Sequence, residues 1–183
     1  MTERHEIRIC GFGGQGVVLA GYIMGQAASI FDGKHVTFIQ DYGPAARGGV
    51  CRADVVISDD RVLYPYISAP SVLISLFQEA YDKYLPRNRE DALVIVDSDL
   101  VKPRRTRGRK LVGIPANQLA EELGRVTVAN VVMLGFFTVI TNLISVDAMK
   151  KSIAQAVPKG TEELNLTAFD KGYQYALSKL EKV

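Results

Sequence analysis

Apolar and polar positions alternate over residues 6–10, with Ile7 and Ile9 on one side. The pattern then breaks at four glycines within residues 11–16, and a long apolar run follows from 17 to 30. A period of two that gives way to a continuous apolar stretch predicts a strand over 6–10, a turn, and a helix over 15–31. Asp32 and Gly33 signal the helix end, and 35–40 reads as a second strand. A strand–helix–strand unit of this length is expected to close a parallel pair through a right-handed crossover. Further along, 50–57 reads as a strand, 61–64 as a short strand returning after a turn at Ser58, Asp59 and Asp60, and 72–77 as a strand buried on both faces. A helix over 78–85 ends at Pro86, strands are expected at 92–96 and 111–114, and helices at 115–123, 147–157 and 161–180. In the last helix Leu164, Phe169, Tyr173 and Leu177 lie near one face, as core positions do. This order predicts an α/β fold: one domain over residues 1–183, a Rossmann-like, mostly parallel sheet with helices on both faces, and C-terminal helices.

The stretch 126–146 has no charged residue. It is long enough to span a bilayer, but Asn130, Asn142, Ser145 and its threonines dilute its hydrophobicity, and basic or aromatic flanks are missing. It reads as a helix buried on all sides. Because one sheet can cover only one face of it, the other face is expected to meet a partner subunit.

Composition narrows the classes. A chain of 183 residues with 48% apolar and 23% charged residues is an ordinary globular sequence, and a net charge of +2 favours neither a nucleic-acid binder nor an acidic solvating chain. Cys10 and Cys51 lie in apolar strand contexts and read as buried, reduced thiols of a cytoplasmic protein. Two cysteines cannot supply the four thiolates of an iron–sulfur cluster, and His5 and His35 lack the spacing of a zinc site. The N-terminus has no apolar signal core.

The glycines carry the candidate chemistry. Gly11, Gly13 and Gly16 fit the spacing G-x-G-x-x-G, and Gly14 removes one more side chain. The following helix aims unsatisfied N–H groups and its positive dipole end at the turn, which suits an anion. Either the turn binds nothing, or Gly11, Gly13, Gly14, Gln15 and Gly16 form a phosphate-facing cradle. Asp41, ending the second strand, stands where a dinucleotide site would hold a ribose hydroxyl. The next stretch, Tyr42-Gly43-Pro44-Ala45-Ala46-Arg47-Gly48-Gly49, is a rigid loop that can present Arg47 to a phosphate or carboxylate, or else a polar turn with a solvated arginine. Asp97, at a strand's carboxyl end, is either a ligand contact or a capping acid, and the basic stretch 102–110 reads as a solvated or partner-facing loop.

The glycine motif, the loop 42–49 before a strand ending in Val56, Ile57 and Ser58, Pro65, Asn130 with Leu134 and Gly135, and Asn165 with Gly172 together resemble the gamma subunit of 2-oxoacid:ferredoxin oxidoreductases. The 2-oxoglutarate type is nearest, then the branched-chain 2-oxoacid and pyruvate types. The resemblance implies a non-redox subunit of a complex that converts a 2-oxoacid, coenzyme A and oxidised ferredoxin into acyl-CoA, carbon dioxide and reduced ferredoxin. Thiamine diphosphate, magnesium and the iron–sulfur clusters would sit on sister alpha, beta and delta subunits. This chain would contribute assembly and the handling of coenzyme A or another anion, with Tyr42, Arg47 and Gly48 touching ligand or subunit. It implies no catalytic residue, metal, nucleic acid or membrane contact for this chain. Family members often carry glutamate where this chain has Ala45, so that carboxylate's role is not carried over. The alternative is a free-standing dinucleotide-binding oxidoreductase or binding protein with Asp41 on the ribose.

Overall fold

Strand β1 (Arg4–Phe12) forms where the alternation placed it, and α1 (Val17–Gln26) follows the glycine turn, running on as a π-helical segment, Ala27–Phe31. The computed structural model describes residues 4–42, 49–104 and 108–181. Next come β2 (His35–Asp41) and β3 (Val50–Ser58). The returning strand expected at 61–64 does not form. Pro65 and Pro70 cannot donate to a ladder, and Arg4 Nη2 takes the Tyr64 carbonyl at 3.1 Å. The chain continues through β4 (Val72–Ser75), α2 (Gln78–Tyr84), β5 (Leu93–Asp97), β6 (Lys110–Ile114) and α3 (Ala116–Glu121). It closes with α4 (Ala129–Thr141), α5 (Val146–Ala156) and α6 (Glu162–Leu180).

The six strands lie in the order β2-β3-β1-β4-β5-β6. Five run the same way and β3 runs against them. The sheet is therefore mostly parallel, but the expected β1–β2 pairing is wrong: β3 stands between them and pairs antiparallel with both. The competition is decided by burial. β3 presents Ala53, Val55 and Ile57 to one face and Val56 to the other, all buried, whereas β2 keeps His35, Gln40 and Asp41 exposed and belongs at an edge.

Helices cover both faces. On one, Ile7, Ile9, Val55, Ile74 and Ile95 pack in a core shared with α1 and α4. On the other, Cys10, Leu73, Val94 and Val96 meet Ala80, Tyr81 and Tyr84 of α2. Both thiols are buried.

Helix α4 is buried from Ala129 to Thr138, as its lack of charge predicted, but a sister subunit is not what covers it. Its outer face is covered by α6 of the same chain. The two helices cross so closely that a Cβ on Gly135 would overlap the Phe169 carbonyl, and one on Gly172 would overlap the Val132 carbonyl. The buried side of α6 accordingly carries the small residues Ala168, Gly172 and Ala176 beside Asn165 and Phe169, while Leu164 and Tyr173 flank it half-buried. The inference of a partner from this helix alone is thus corrected. No helix among the described residues is long and apolar enough to cross a membrane.

Gly135→Ala or Gly172→Ala must push two backbones apart, so each should lower stability by about 3 kcal/mol or more in urea unfolding. At Gly25 an added Cβ would meet Val36 at an ordinary 3.6 Å, so Gly25→Ala should be neutral or gain up to about 1 kcal/mol. Equal losses at all three positions would contradict the tight crossing.

Candidate functional site

The turn between β1 and α1 is held mainly by its own side chains. Gln15 folds back over it. Its Oε1 accepts the Phe12 N–H at 2.7 Å, and its Nε2 donates to the Leu76 carbonyl at 3.0 Å, joining the ends of β1 and β4. Gly11 is glycine for this reason: a Cβ there would stand 2.7 Å from Gln15 Oε1. Gly13 donates to the Gly49 carbonyl at 2.9 Å, which brings the end of the loop 42–49 against the turn. Gly16 (φ 72°) leaves room for the Asn130 amide, which donates to the Gly16 carbonyl at 3.1 Å and accepts from the Val131 N–H at 2.9 Å. Asn130 is thereby satisfied although buried.

Gly14 differs from the other three. It has φ 105° and open space where a Cβ would stand. Beside it, Gly14 and Gln15 join Leu76, Asn117, Val126, Thr127 and Ala129 around a cleft of about 130 Å³. The first turn of α1 holds no acidic residue to neutralise its positive end. The cleft is well below the roughly 300–1,000 Å³ of a small-molecule pocket. It can take a phosphate-sized end group, not a whole dinucleotide.

The predicted residues Gly11, Gly13, Gly14, Gln15 and Gly16 are brought together, with Gly14 the most open. Tyr42 is exposed, its hydroxyl 3.4 Å from Gln40 Oε1. Arg47 and Gly48 lie outside the described residues. Asp41 is separated from β1 by a whole strand and lies 3.5 Å from Arg52 Nε, so the ribose-binding geometry of a dinucleotide fold is not present. Asp97 is fully buried and serves as a structural acid: it accepts from the Asp99 N–H at 3.0 Å and from the Asn117 side chain. Burial pushes its pKa up, against the hydrogen bonds that favour the charged form. In the basic stretch, Arg109 is bound to the Asn88 and Arg89 carbonyls, each at 2.9 Å, while residues 105–107 lie outside the described residues.

Two features escaped the pattern reading. Asn117 and Thr127 line the cleft from α3 and from the short turn before α4, places that sequence spacing does not connect to the glycine turn. The second is a buried ion pair. Arg8 and Asp54 face each other in the β1–β3 register, joined by two hydrogen bonds of 2.7 and 2.8 Å, with the Tyr84 ring 5.2 Å from the guanidinium carbon. Burial works against the Arg8 charge, and Asp54's hydrogen bonds and charge outweigh it, so the Arg8 pKa stands above its ordinary value. Arg52 Nε lies 3.8 Å from Asp54 and 3.5 Å from Asp41, extending a line of alternating charge towards the start of the loop 42–49.

Removing Asp54 strands two arginines. Asp54→Ala should cost about 3–5 kcal/mol in urea unfolding, against less than about 1 kcal/mol for Asp41→Ala at the exposed end of the line. A small loss at Asp54 would show that the pair is not buried in solution. Burial also drives the Cys10 thiol up to about 12 and raises that of Cys51. At about pH 8 only about one Cys10 in ten thousand is thiolate. Native protein should therefore resist iodoacetamide for hours and react on addition of guanidinium, as followed by mass spectrometry; rapid native labelling of Cys10 would contradict this burial.

A family profile described as pyruvate ferredoxin/flavodoxin oxidoreductase matches residues 6–175. The 2-oxoglutarate synthase subunit KorC of Methanocaldococcus jannaschii is 47% identical over 176 residues, which are 94% of this chain and 94% of that protein. The solved gamma subunit of a keto/oxoacid ferredoxin oxidoreductase from Geobacter sulfurreducens superposes with a TM-score of 0.87 at 40% identity, covering 96% of this chain and 98% of that one. The 2-oxoglutarate:ferredoxin oxidoreductase of Magnetococcus marinus, solved with 2-oxoglutarate, coenzyme A and succinyl-CoA bound, has the same fold at 23% identity and TM-score 0.87. The match covers 97% of this chain but 32% of that longer one.

Proposed function

We propose a function that starts from one fact: the chain belongs to the pyruvate ferredoxin/flavodoxin oxidoreductase family. It is a subunit of a 2-oxoacid:ferredoxin oxidoreductase. Our reading is that the complex takes 2-oxoglutarate and coenzyme A, reduces ferredoxin, and releases succinyl-CoA and carbon dioxide. The observation that carries this choice is the 47% identity, over nearly the full length of both chains, to a 2-oxoglutarate synthase subunit.

Within the complex, the chain's share is binding rather than bond-making. The open Gly14, the uncompensated start of α1 and the polar groups of Asn117 and Thr127 suit one phosphate of coenzyme A. The size of the cleft leaves the rest of that molecule to sister subunits, and the bound coenzyme A of the Magnetococcus marinus enzyme supports the choice of ligand. Thiamine diphosphate, magnesium and iron–sulfur clusters are assigned to the sister subunits. Tyr42, Arg47 and Gly48 enter as contacts to ligand or subunit on the family resemblance. A free dinucleotide-binding enzyme is the poorer reading, since Asp41 is engaged by Arg52 away from the turn.

A carboxylate placed at the exposed Thr127 tests the anion site without straining the turn. In the reconstituted complex, Thr127→Asp should raise KM for coenzyme A about tenfold, leaving kcat and KM for 2-oxoglutarate near wild type. An unchanged KM for coenzyme A would remove the phosphate assignment. Activity with pyruvate in place of 2-oxoglutarate would correct the substrate.

A further inference from the structure

We infer that the free edge of the sheet, strand β2 with the apolar patches on its two sides, is the surface on which a sister subunit docks. This rests on the reading of the chain as one subunit of a larger enzyme.

The sheet ends at β2, which pairs with β3 without a break from His35 to Asp41 and, among the described residues, with no strand on its other side. Such an edge offers unpaired N–H and C=O groups, and folded chains ordinarily blunt it with lysine, proline or a bulge. Residues 35–40 have none of these, and their centre is Val36, Thr37, Phe38 and Ile39. The opposite edge is guarded: Lys110 opens β6, and Lys179 of α6 lines a cleft with Lys110, Val112 and Gly113.

Exposed apolar side chains gather on both sides of β2. On the α1 side, Tyr22 is 47% and Ile30 68% exposed, around a cleft of about 380 Å³ that Val36 and Phe38 also line. On the other side, Leu63 is 85%, Tyr64 62% and Tyr66 59% exposed, the two tyrosine rings 5.6 Å apart. Thr37 ties this segment to β2 by donating to the Pro65 carbonyl at 3.4 Å. Single exposed apolar residues need no explanation; five around one unguarded strand mark an interaction surface.

The occupant follows from charge and from the relatives. Between His35 and Gln40, at Tyr22 and Ile30, and from Leu63 to Tyr66 there is no charged side chain, so a neutral, apolar partner face fits and a strongly acidic or basic one does not. In the Magnetococcus marinus enzyme this fold is about a third of a longer chain, so it works beside other domains joined to it. The KorC subunit of Methanocaldococcus jannaschii, matched over 94% of its own length, is this unit without such added domains, so there a neighbour must be held by a surface. We therefore commit to a sister subunit rather than a second copy of this chain.

The test uses the chain and its sister subunits, combined and measured by sedimentation. Tyr64→Ser with Tyr66→Ser should weaken association at least about 100-fold, as for two tyrosine anchors, and Ile30→Lys should weaken it independently. Leu180→Ser, beside the guarded edge, should associate as wild type, and the Tm of each free variant should match wild type. Amide exchange across β2 should slow on assembly. Normal association of both β2-flank variants would overturn the docking assignment while leaving the subunit reading intact. A wild-type chain that binds no sister subunit would bring down that reading itself. A homodimer of the free chain, abolished by the tyrosine pair, would give the edge to a second copy and overturn the proposal.

Discussion

Strand β3 runs backwards between β1 and β2, and much of the molecule's chemistry follows from that insertion. Because β3 is antiparallel to β1, it begins at the end of the sheet where β1 finishes, so the loop entering it arrives beside the glycine turn. The Gly13–Gly49 hydrogen bond is the direct result. The same pairing sets Asp54 opposite Arg8 and brings Arg52 alongside, which puts a buried ion pair under α2 rather than a plain apolar layer. A register slip of one residue would turn Asp54 into the α1–α4 core, where no cation waits. The ion pair therefore specifies the register at some cost in desolvation. Finally, the insertion moves β2 outward by one strand, taking Asp41 away from the turn and leaving an apolar strand at the edge.

A second dependence links a packing event to the site. Asn130 reaches the Gly16 carbonyl from the first turn of α4, a helix that shares the core with α1 and the sheet and carries α6 close on its back. That approach needs glycine at both 135 and 172, since any Cβ would enter a backbone carbonyl. Two residues far along the chain from the turn thus help fix its geometry. The order runs from side-chain absence, to helix separation, to the height of one amide above one turn. Gln15 does the same from the other direction, taking the Phe12 N–H and the Leu76 carbonyl.

What was legible beforehand divides along the same line. Periodicity is local, so the main strands, the principal helices and the burial of α4 could be read from residue spacing, and the glycines announced the turn. Pairing is not local. Nothing within residues 4–41 states that a later strand will intervene, and the direct pairing of β1 with β2 was the wrong expectation for that reason, although the two strands do run the same way. Arg8 falls between Ile7 and Ile9 in the alternating strand, and only the β1–β3 register reveals Asp54 across from it. The cover on α4 failed for a related reason. A helix apolar on every side says that something must cover it, and the small residues of α6 answered that need, but glycine at 172 is a signal only once 135 is known to face it. In the turn, the motif was visible and its use was not: spacing cannot tell a glycine that admits a ligand, such as Gly14, from one that admits Gln15 or Asn130.

These constraints converge on one end of the sheet. The carboxyl ends of β1 and β4 and the start of α3 frame the small cleft, and the carboxyl end of β2 leads into the loop whose other end is bonded to the turn. A protein laid along β2 therefore reaches the stem of that loop at Asp41 and Tyr42, and through Gly49 it borders the turn. Docking and ligand handling need not be separate tasks. The cleft holds no more than an end group, and it lies on the β4 side of the turn, with β3 between β1 and the β2 edge. The chain's two thiols are buried, and Asp97, the buried acid nearest the cleft, is occupied with hydrogen bonds around α3. What the fold itself offers is thus a small cleft at the uncompensated start of α1 and an apolar strand at one edge of the sheet, with none of the described residues placed for bond-making at either.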